Sequence, residues 1–215
     1  KGTTTIIDGK LDINDAKGVT VWFKHKLSGP VSIEYDVAMI KKDGPNDRVS
    51  DLNCFWMATD IKHPDNLFFP KHKRTGSFGS YHHLRLYYLG FGGNNNGTTR
   101  FRRYPGGGSR PLLPEHNLQG DEYKNVANKK VHIQIIANGK HIRYIKDGQQ
   151  IINFEDPNPF RKGWFAFRTV RNHMQIDNFI ADGSQSIWPN VKPMMERLKV
   201  SEYEEVVDFV VPGFN

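Results

Sequence analysis

The sequence predicts an all-β domain of two packed antiparallel sheets, and three observations carry that prediction. Short segments alternate apolar and polar residues with a period of two. Gly, Asn, Asp and Pro turns separate them, and apolar spacing scarcely follows the 3.6-residue period of a helix. In chain order, Val19 to Phe23 reads as a first strand. Val31 to Met39 alternates strictly, with Val31, Ile33, Tyr35, Val37 and Met39 on one face and Ser32, Glu34 and Asp36 on the other. Asn53 to Ala58, His83 to Phe91 and Thr98 to Tyr104 follow. Val131 to Ile135, His141 to Ile145 and Gln150 to Phe154 then form a meander, turned at Asn138-Gly139 and at Asp147-Gly148. Trp164 to Thr169 and Met174 to Ile180 read as two further strands flanking a turn. No repeat of propeller or solenoid period is apparent.

The chain has 215 residues, ordinary for one sandwich and enough to bury roughly 70% of the unfolded surface without disulfides. Residues 1–182 read as this single domain. Residues 183–215, where Glu202, Glu204, Glu205 and Asp208 gather without a base, read as a C-terminal extension and not a separate domain. The one cysteine, Cys54, sits in an apolar run and reads as a buried thiol. No apolar stretch reaches membrane-spanning length, so no membrane span is expected. The chain lacks an initiator Met, from which a removed leader and a periplasmic or extracellular location are expected.

The net charge is +7, and its distribution says more than its sum. No acidic residue falls between Asp65 and Glu115, whereas Lys71, Lys73, Arg74, Arg85, Arg100, Arg102, Arg103 and Arg110 all do, with His72, His82 and His83. Such a stretch is either a solvated face or a field that attracts an anion. Two long loops, Asp60 to Ser80 and Pro105 to Asn117, lie in it.

The segment from His82 to Tyr104 reads as strand, Gly/Asn-rich turn, strand. Closing the turn symmetrically pairs Phe91 with Thr98, Leu89 with Arg100, Tyr87 with Arg102 and Arg85 with Tyr104. Opposed residues share a face. One surface then displays His83, Arg85, Tyr87, Arg100, Arg102 and Tyr104, while Leu84, Leu86, Tyr88 and Phe101 face a core. Arg103 is left on the apolar side and must reach an edge or a partner. Guanidinium forks bind carboxylates bidentately and aromatic rings stack on sugars, which points to a uronic acid or a sulfated glycan; the structural alternative is a lattice of Arg and Tyr bonded to acids on neighbouring strands.

At these residues the sequence resembles a known family. The runs Gly44 to Met57, Leu86 to Tyr104, Arg110 to His116 and Gly163 to Arg168 resemble a YesU-like family of concanavalin A-type sandwich proteins from glycan-degrading bacteria, over about Ile6 to Ile180. The resemblance implies a concanavalin A-like jelly-roll with a ligand groove on its concave sheet, and a setting in polysaccharide breakdown. Jelly-roll polysaccharide lyases of similar architecture neutralise the uronate carboxylate with Arg, Asn or Gln and move protons with Tyr or His. This sequence lacks the best-known alginate-lyase motifs, so no catalytic residue transfers by motif.

β-Elimination needs a neutralising group, a base and an acid. Arg100 or Arg102 is the candidate neutraliser, and Tyr87, Tyr104 and His83 are the candidates for proton transfer. Arg85, Asn94, Asn95, Trp56, Trp164 and Arg168 are the candidate substrate contacts. Hydrolysis would need two carboxyl groups about 5 to 10 Å apart, for which Glu34 with Asp36, or Asp47 with Asp51, is available. A non-catalytic carbohydrate-binding module is the third reading. The expected partner is an acidic poly- or oligosaccharide. Nucleic acid is not expected, because neither an RNP-type strand nor zinc-finger spacing is present. No cofactor and no metal ligand set is expected beyond a structural Ca²⁺ of the kind sandwiches often hold, with Asp147 or Asp156 as donors, although a hairpin turn explains Asp147 better.

Overall fold

The computed structural model describes residues 2–69 and 74–183. Lys71, His72 and Lys73 of the basic run, and the extension from residue 184 on, lie outside the described residues. The described chain is all-β: twelve strands form one curled antiparallel sheet. They are β1 (Thr3–Ile7), β2 (Lys10–Trp22), β3 (Leu27–Ser28), β4 (Val31–Met39), β5 (Leu52–Asp60), β6 (Leu84–Gly92), β7 (Thr98–Pro105), β8 (Asn117–Leu118), β9 (Lys130–Asn138), β10 (His141–Lys146), β11 (Gln149–Glu155) and β12 (Lys162–Gly183). The main path runs β11-β10-β9-β4-β12-β5-β6-β7-β8, with β2 along the other flank of β12.

The spine is β12. The sequence reads its two halves as separate strands, but they form one, because the expected turn is only a bulge. The pairing with β2 shifts between Val170 and Asn172, around Arg171 at φ 42, and the pairing with β4 shifts between Asp177 and Ile180, around Asn178 at φ 51. Its first half pairs with β5 and its second with β4. The curl lets Val31, Ile33, Tyr35 and Val37 of β4 and Ile133 and Ile135 of β9 share one core with Cys54, Leu89, Phe101 and Phe167 from the far end of the path. The strict alternation of β4 appears directly in its burial. The expected hairpin turns also form, Gly139 at φ 56 and Asp147 at φ 50 with Gly148 at φ 77. The Asp147 carboxylate accepts the His132 N–H at 2.8 Å. Strands β1, β3, β8 and the first half of β2 escape the sequence reading; β3 and β8 have two residues each, too few to show a period.

The register of the β6–β7 hairpin departs from the expected one by one residue. The observed pairs are Leu86 with Tyr104, Tyr87 with Arg103, Tyr88 with Arg102, Leu89 with Phe101 and Gly90 with Arg100. The turn is not symmetric. Gly92 sits at φ 64 and gives its N–H to the Thr99 hydroxyl at 3.0 Å, and Asn94, Asn95 and Asn96 are all left-handed. Because the slip moves one strand's whole set of side chains, Tyr87 and Arg85 stand on the opposite face from Arg100, Arg102 and Tyr104. Alternation did not select the register because β6 is buried on both faces from Leu86 onward. The loop 61–83 lays Leu67, Phe78 and Tyr81 over the outer face, where they pack with Trp22, Phe55, Leu84, Leu86, Tyr88, Tyr104 and Trp164.

Tyr87 is therefore a core residue. Its hydroxyl donates to Asp156 Oδ2 at 2.6 Å and accepts the Phe160 N–H at 3.1 Å. Arg103, the exception on the apolar side, reaches the same carboxylate at 2.6 Å. Burial and the adjacent Asp156 push the Tyr87 phenol well above its usual range. Tyr87→Phe strands part of a buried carboxylate and is expected to cost about 1–3 kcal/mol in urea unfolding while leaving carbohydrate binding unchanged; a loss of binding without a loss of stability would return Tyr87 to the functional site.

Candidate functional site

The outer face is built from cross-strand rows. Thr20, Arg168, Asn53, Gly90, Arg100 and Asn117 are successive register partners across β2, β12, β5, β6, β7 and β8. The neighbouring row on that face is Trp22, Ala166, Phe55, Tyr88 and Arg102. Between them, pointing the other way, runs Val21, Phe167, Cys54, Leu89 and Phe101, all in the core. This middle row is wholly apolar, whereas the outer face collects amides and guanidinium groups where the loop 61–83 stops covering it.

There a cleft of about 360 Å³ opens, within the size range of small-molecule sites. Asn53, Tyr88, Gly90, Arg100 and Arg102 come to it from the sheet; Phe78, Arg110, Asp51 and Asn94 come from the surrounding loops and turn. Gly90 is needed in this position, since a Cβ there would stand 2.2 Å from the Tyr88 hydroxyl, which lies across it. Arg100 is oriented by Asn117, whose Oδ1 accepts from Nε at 2.8 Å, and Arg102 donates to the Arg110 carbonyl. The one carboxylate in the lining, Asp51, is ion-paired with Arg48 at 2.9 Å. Burial, then the positive charges of Arg110 and Arg100, hold the Arg102 guanidinium below its usual pKa. Burial and Arg110 likewise lower the His82 imidazole, whose Nε2 is 3.2 Å from Arg110 Nη1. Like charges are therefore crowded around one opening.

Arg168 lies on the same row but is closed off, only 1% exposed beneath the loop, its guanidinium 5.8 Å from the Phe78 ring and 5.4 Å from that of Tyr81. It donates to the carbonyls of Val19 and Thr169. Arg168 Nε and Asn53 Oδ1, both buried, have no hydrogen-bond partner among the described residues. Unsatisfied buried polar groups are rare, and each asks for a reason.

Of the residues singled out from sequence, Arg100, Arg102 and Asn94 meet at this cleft. Tyr104 shares the face but is fully buried beside Tyr88, its phenol pushed up to about 12 chiefly by burial. Asn95 stands in the same turn, where its Oδ1 accepts from Arg48 Nη2 at 2.9 Å. Three expected substrate contacts and one proton-transfer candidate stand away from the cleft. Trp56 is fully buried in the core against Tyr87 and Phe101 and offers no stacking platform. Trp164 is 5% exposed, its ring NH donating to the Lys24 carbonyl. Arg85 opens on a different cavity. His83 precedes β6, its Nε2 3.6 Å from Asp60 Oδ2. Tyr88, Asn53, Phe78 and Arg110 were missed. Arg110 carried a signal, its place in the acid-free run; Tyr88 was assigned to the core by the slipped register.

Of the two carboxylate pairs considered for hydrolysis, Asp51 alone reaches the cleft, and the other three carboxylates are engaged elsewhere. Glu34 accepts from Gln134 at 2.9 Å, and Asp36 from His132 and Asn178, each at 2.8 Å. Burial pushes the Asp36 carboxyl up, but Asn178, His132 and Lys130 outweigh it and hold it below the usual range. Asp47 accepts from the Lys42 and Gly44 N–H groups and from His173.

The curled antiparallel sheet is galectin-like in fold. A protein of unknown function with a galectin-like fold from Bacillus subtilis superposes with a TM-score of 0.64 at 17% identity, over 84% of this chain and 85% of that one. The carbohydrate-binding module CBM66 from Bacillus subtilis follows with a TM-score of 0.55 at 12% identity, over 85% and 92%. Within that class, residues 13–179 match a family model, and the chain belongs to that family, described as Domain of unknown function (DUF6250). No curated protein matches the chain. Among the described residues no helix is long and apolar enough to cross a membrane, which says nothing of β-barrels.

Five of the non-glycine residues at positive φ, Asp51, Asn94, Asn95, Asn96 and Arg171, lie in or beside the cleft. Left-handed backbone costs roughly 1–2 kcal/mol at a residue without a special reason to adopt it, and Asn tolerates it best after Gly. Asn94→Ala is expected to lower stability by about 1 kcal/mol and Asn94→Gly to leave it unchanged, read by thermal unfolding; equal losses would show that the side chain, not the backbone angle, matters.

Proposed function

We propose that this is a carbohydrate-active protein that takes an acidic, uronate-containing saccharide into the outer-face cleft and cleaves it by β-elimination. The observation that carries the reading is the convergence of Arg100, Arg102 and Arg110 on one opening whose single carboxylate already has a partner. Guanidinium groups held by an amide and a carbonyl are pre-aimed, and a carboxylate arriving among them relieves their mutual repulsion. The same groups would stabilise the charge that builds on the uronate carboxylate when the C5 proton leaves. His82, held neutral near pH 7 by burial and Arg110, is the group suited to receive that proton. The phenol of Tyr88, kept protonated by burial, gives its proton to the departing glycosidic oxygen as the C4–O4 bond breaks, and the proton taken by His82 is returned through solvent to restore the phenol.

Hydrolysis has less support: Glu34 and Asp36 are bonded elsewhere, and Asp51, the carboxylate at the cleft, is ion-paired with Arg48 while its proposed partner Asp47 is held by Lys42, Gly44 and His173. The reading of a non-catalytic binding module is favoured by the likeness to CBM66 and by the high pKa of Tyr88, which makes it a weak acid. A two-sheet concanavalin A-like description of the fold, kinship with the YesU-like proteins, and a periplasmic or extracellular setting belong to the same proposal.

Arg102→Ala is expected to weaken binding of oligouronates at least tenfold in titration calorimetry, with the melting temperature within a few degrees; unfolding instead would make Arg102 a structural residue. Release of unsaturated uronate product, followed by absorbance, tests elimination, and binding without product would leave the module reading. His82 acts in its neutral form and its pKa lies below the ordinary value of 6.5, so turnover should be present above pH 6.5 and fall as pH drops through the depressed value. A rate independent of pH in that window would remove His82 from the reaction.

A further inference from the structure

At the other end of the β6–β7 ladder, and on its opposite face, a second cavity of about 490 Å³ opens beside Arg85, Arg103, Arg161, Lys162, Asn158 and Phe160, with no carboxylate in its lining among the described residues. Arg103 is fixed there. Its Nε is committed to the buried Asp156 and its Nη2 to the Asn158 carbonyl at 2.7 Å, while its plane lies 4.2 Å from the Phe160 ring. Nη1 remains for a ligand. Arg85 packs on the same ring at 5.4 Å, and its Nε donates to the Thr59 hydroxyl at 3.3 Å. The Arg161 guanidinium has no hydrogen bond or ion pair among the described residues, and Lys162 shares the exposed Asp65 with Lys26. Asp156 balances one charge, and Tyr87 already occupies part of it.

We propose that this cavity is a second oxyanion site, taking a carboxylate or sulfate group, carried on a saccharide or free, independently of the outer-face cleft. The argument is one of organisation. Two guanidinium groups stacked on one ring repel each other, and the fold tethers one through a buried carboxylate without supplying an acid to the opening. Arg161 and Lys162 extend the field at its mouth. The pair of sites differs in surroundings: the cleft offers a phenol and amides beside its charges, whereas here the available ring is covered by guanidinium planes, so the ligand is recognised by its charge and not by stacking.

The test uses the full ¹⁵N-labelled chain at constant ionic strength, titrated separately with sodium sulfate, methyl β-D-glucuronide and methyl β-D-glucoside. Saturable shifts of the Asn158 and Phe160 amides and of Arg103 Nε–H are expected with the anions and not with the glucoside. Saturation by sulfate alone marks a site for the free or esterified tetrahedral anion, and saturation by glucuronide marks a saccharide-borne carboxylate; either supports the proposal. Arg161→Ala, which breaks no hydrogen bond or ion pair among the described residues, should weaken the affinity at least fivefold, as should Arg85→Gln, while Arg102→Ala leaves it unchanged. Shifts that grow linearly without saturating, or that persist undiminished in Arg161→Ala, would overturn it. Because Arg102→Ala separates the two sites, failure here leaves the reading of the cleft standing, and the reverse.

Discussion

Cross-strand register in the β2–β12–β5–β6–β7 part of the sheet is the constraint on which everything else rests. With partners in line, the row Val21, Phe167, Cys54, Leu89 and Phe101 points wholly into the core, and its neighbour places Arg168, Asn53 and Arg100 on the opposite face of the sheet. Slipping one strand by one residue would drive a guanidinium into the apolar interior, where an unpaired charge costs several kcal/mol, and would lift a core ring into solvent. The register is held at the hairpin by backbone geometry. Gly92 and three asparagines supply the positive φ angles, and Arg48, Ser50 and Asn125 bind the turn through Asn95 and Asn96.

The same hairpin generates two basic openings by sending Arg100 and Arg102 to one face and Arg85 and Arg103 to the other. Their chemistry differs because their supports differ. On the outer face the groups are oriented by neutral partners, Asn117 and a carbonyl, so positive charge accumulates. On the inner side Arg103 is tied to a buried carboxylate that also anchors Tyr87 and so reinforces the core. A residue type that looks equivalent in sequence is therefore held by neutral partners in one place and by a buried carboxylate in another.

The loop 61–83 closes a second apolar layer over half of the outer face, and this explains both the burial of Arg168 and the location of the cleft. Without that layer the whole row from Thr20 to Asn117 would be open. With it, Thr20 and Arg168 are buried, and the cleft opens over Asn53, Gly90 and Arg100 beside Phe78. The thiol of Cys54 lies in the core-facing row, and burial pushes it up, in keeping with an inert packing role.

By itself the sequence determined the all-β character, the alternation of β4, the meander β9–β10–β11 with its two turns, and the concentration of bases in the middle of the chain. These are local properties: a period of two and a glycine-bearing turn report directly on the backbone. The proximity of Arg100, Arg102 and Asn94, which line one cleft, was legible for the same reason, since three bases and a Gly/Asn turn stand close together in the chain. Only the tertiary structure decided which tyrosine joins them. Tyr87 and Tyr88 are adjacent, and β6 is apolar at both parities because one face meets the core and the other meets a loop folded back from residues 61–83. Alternation carries no information on a strand buried on both sides. The choice between the two faces was made by the left-handed turn and by packing between segments far apart in the chain.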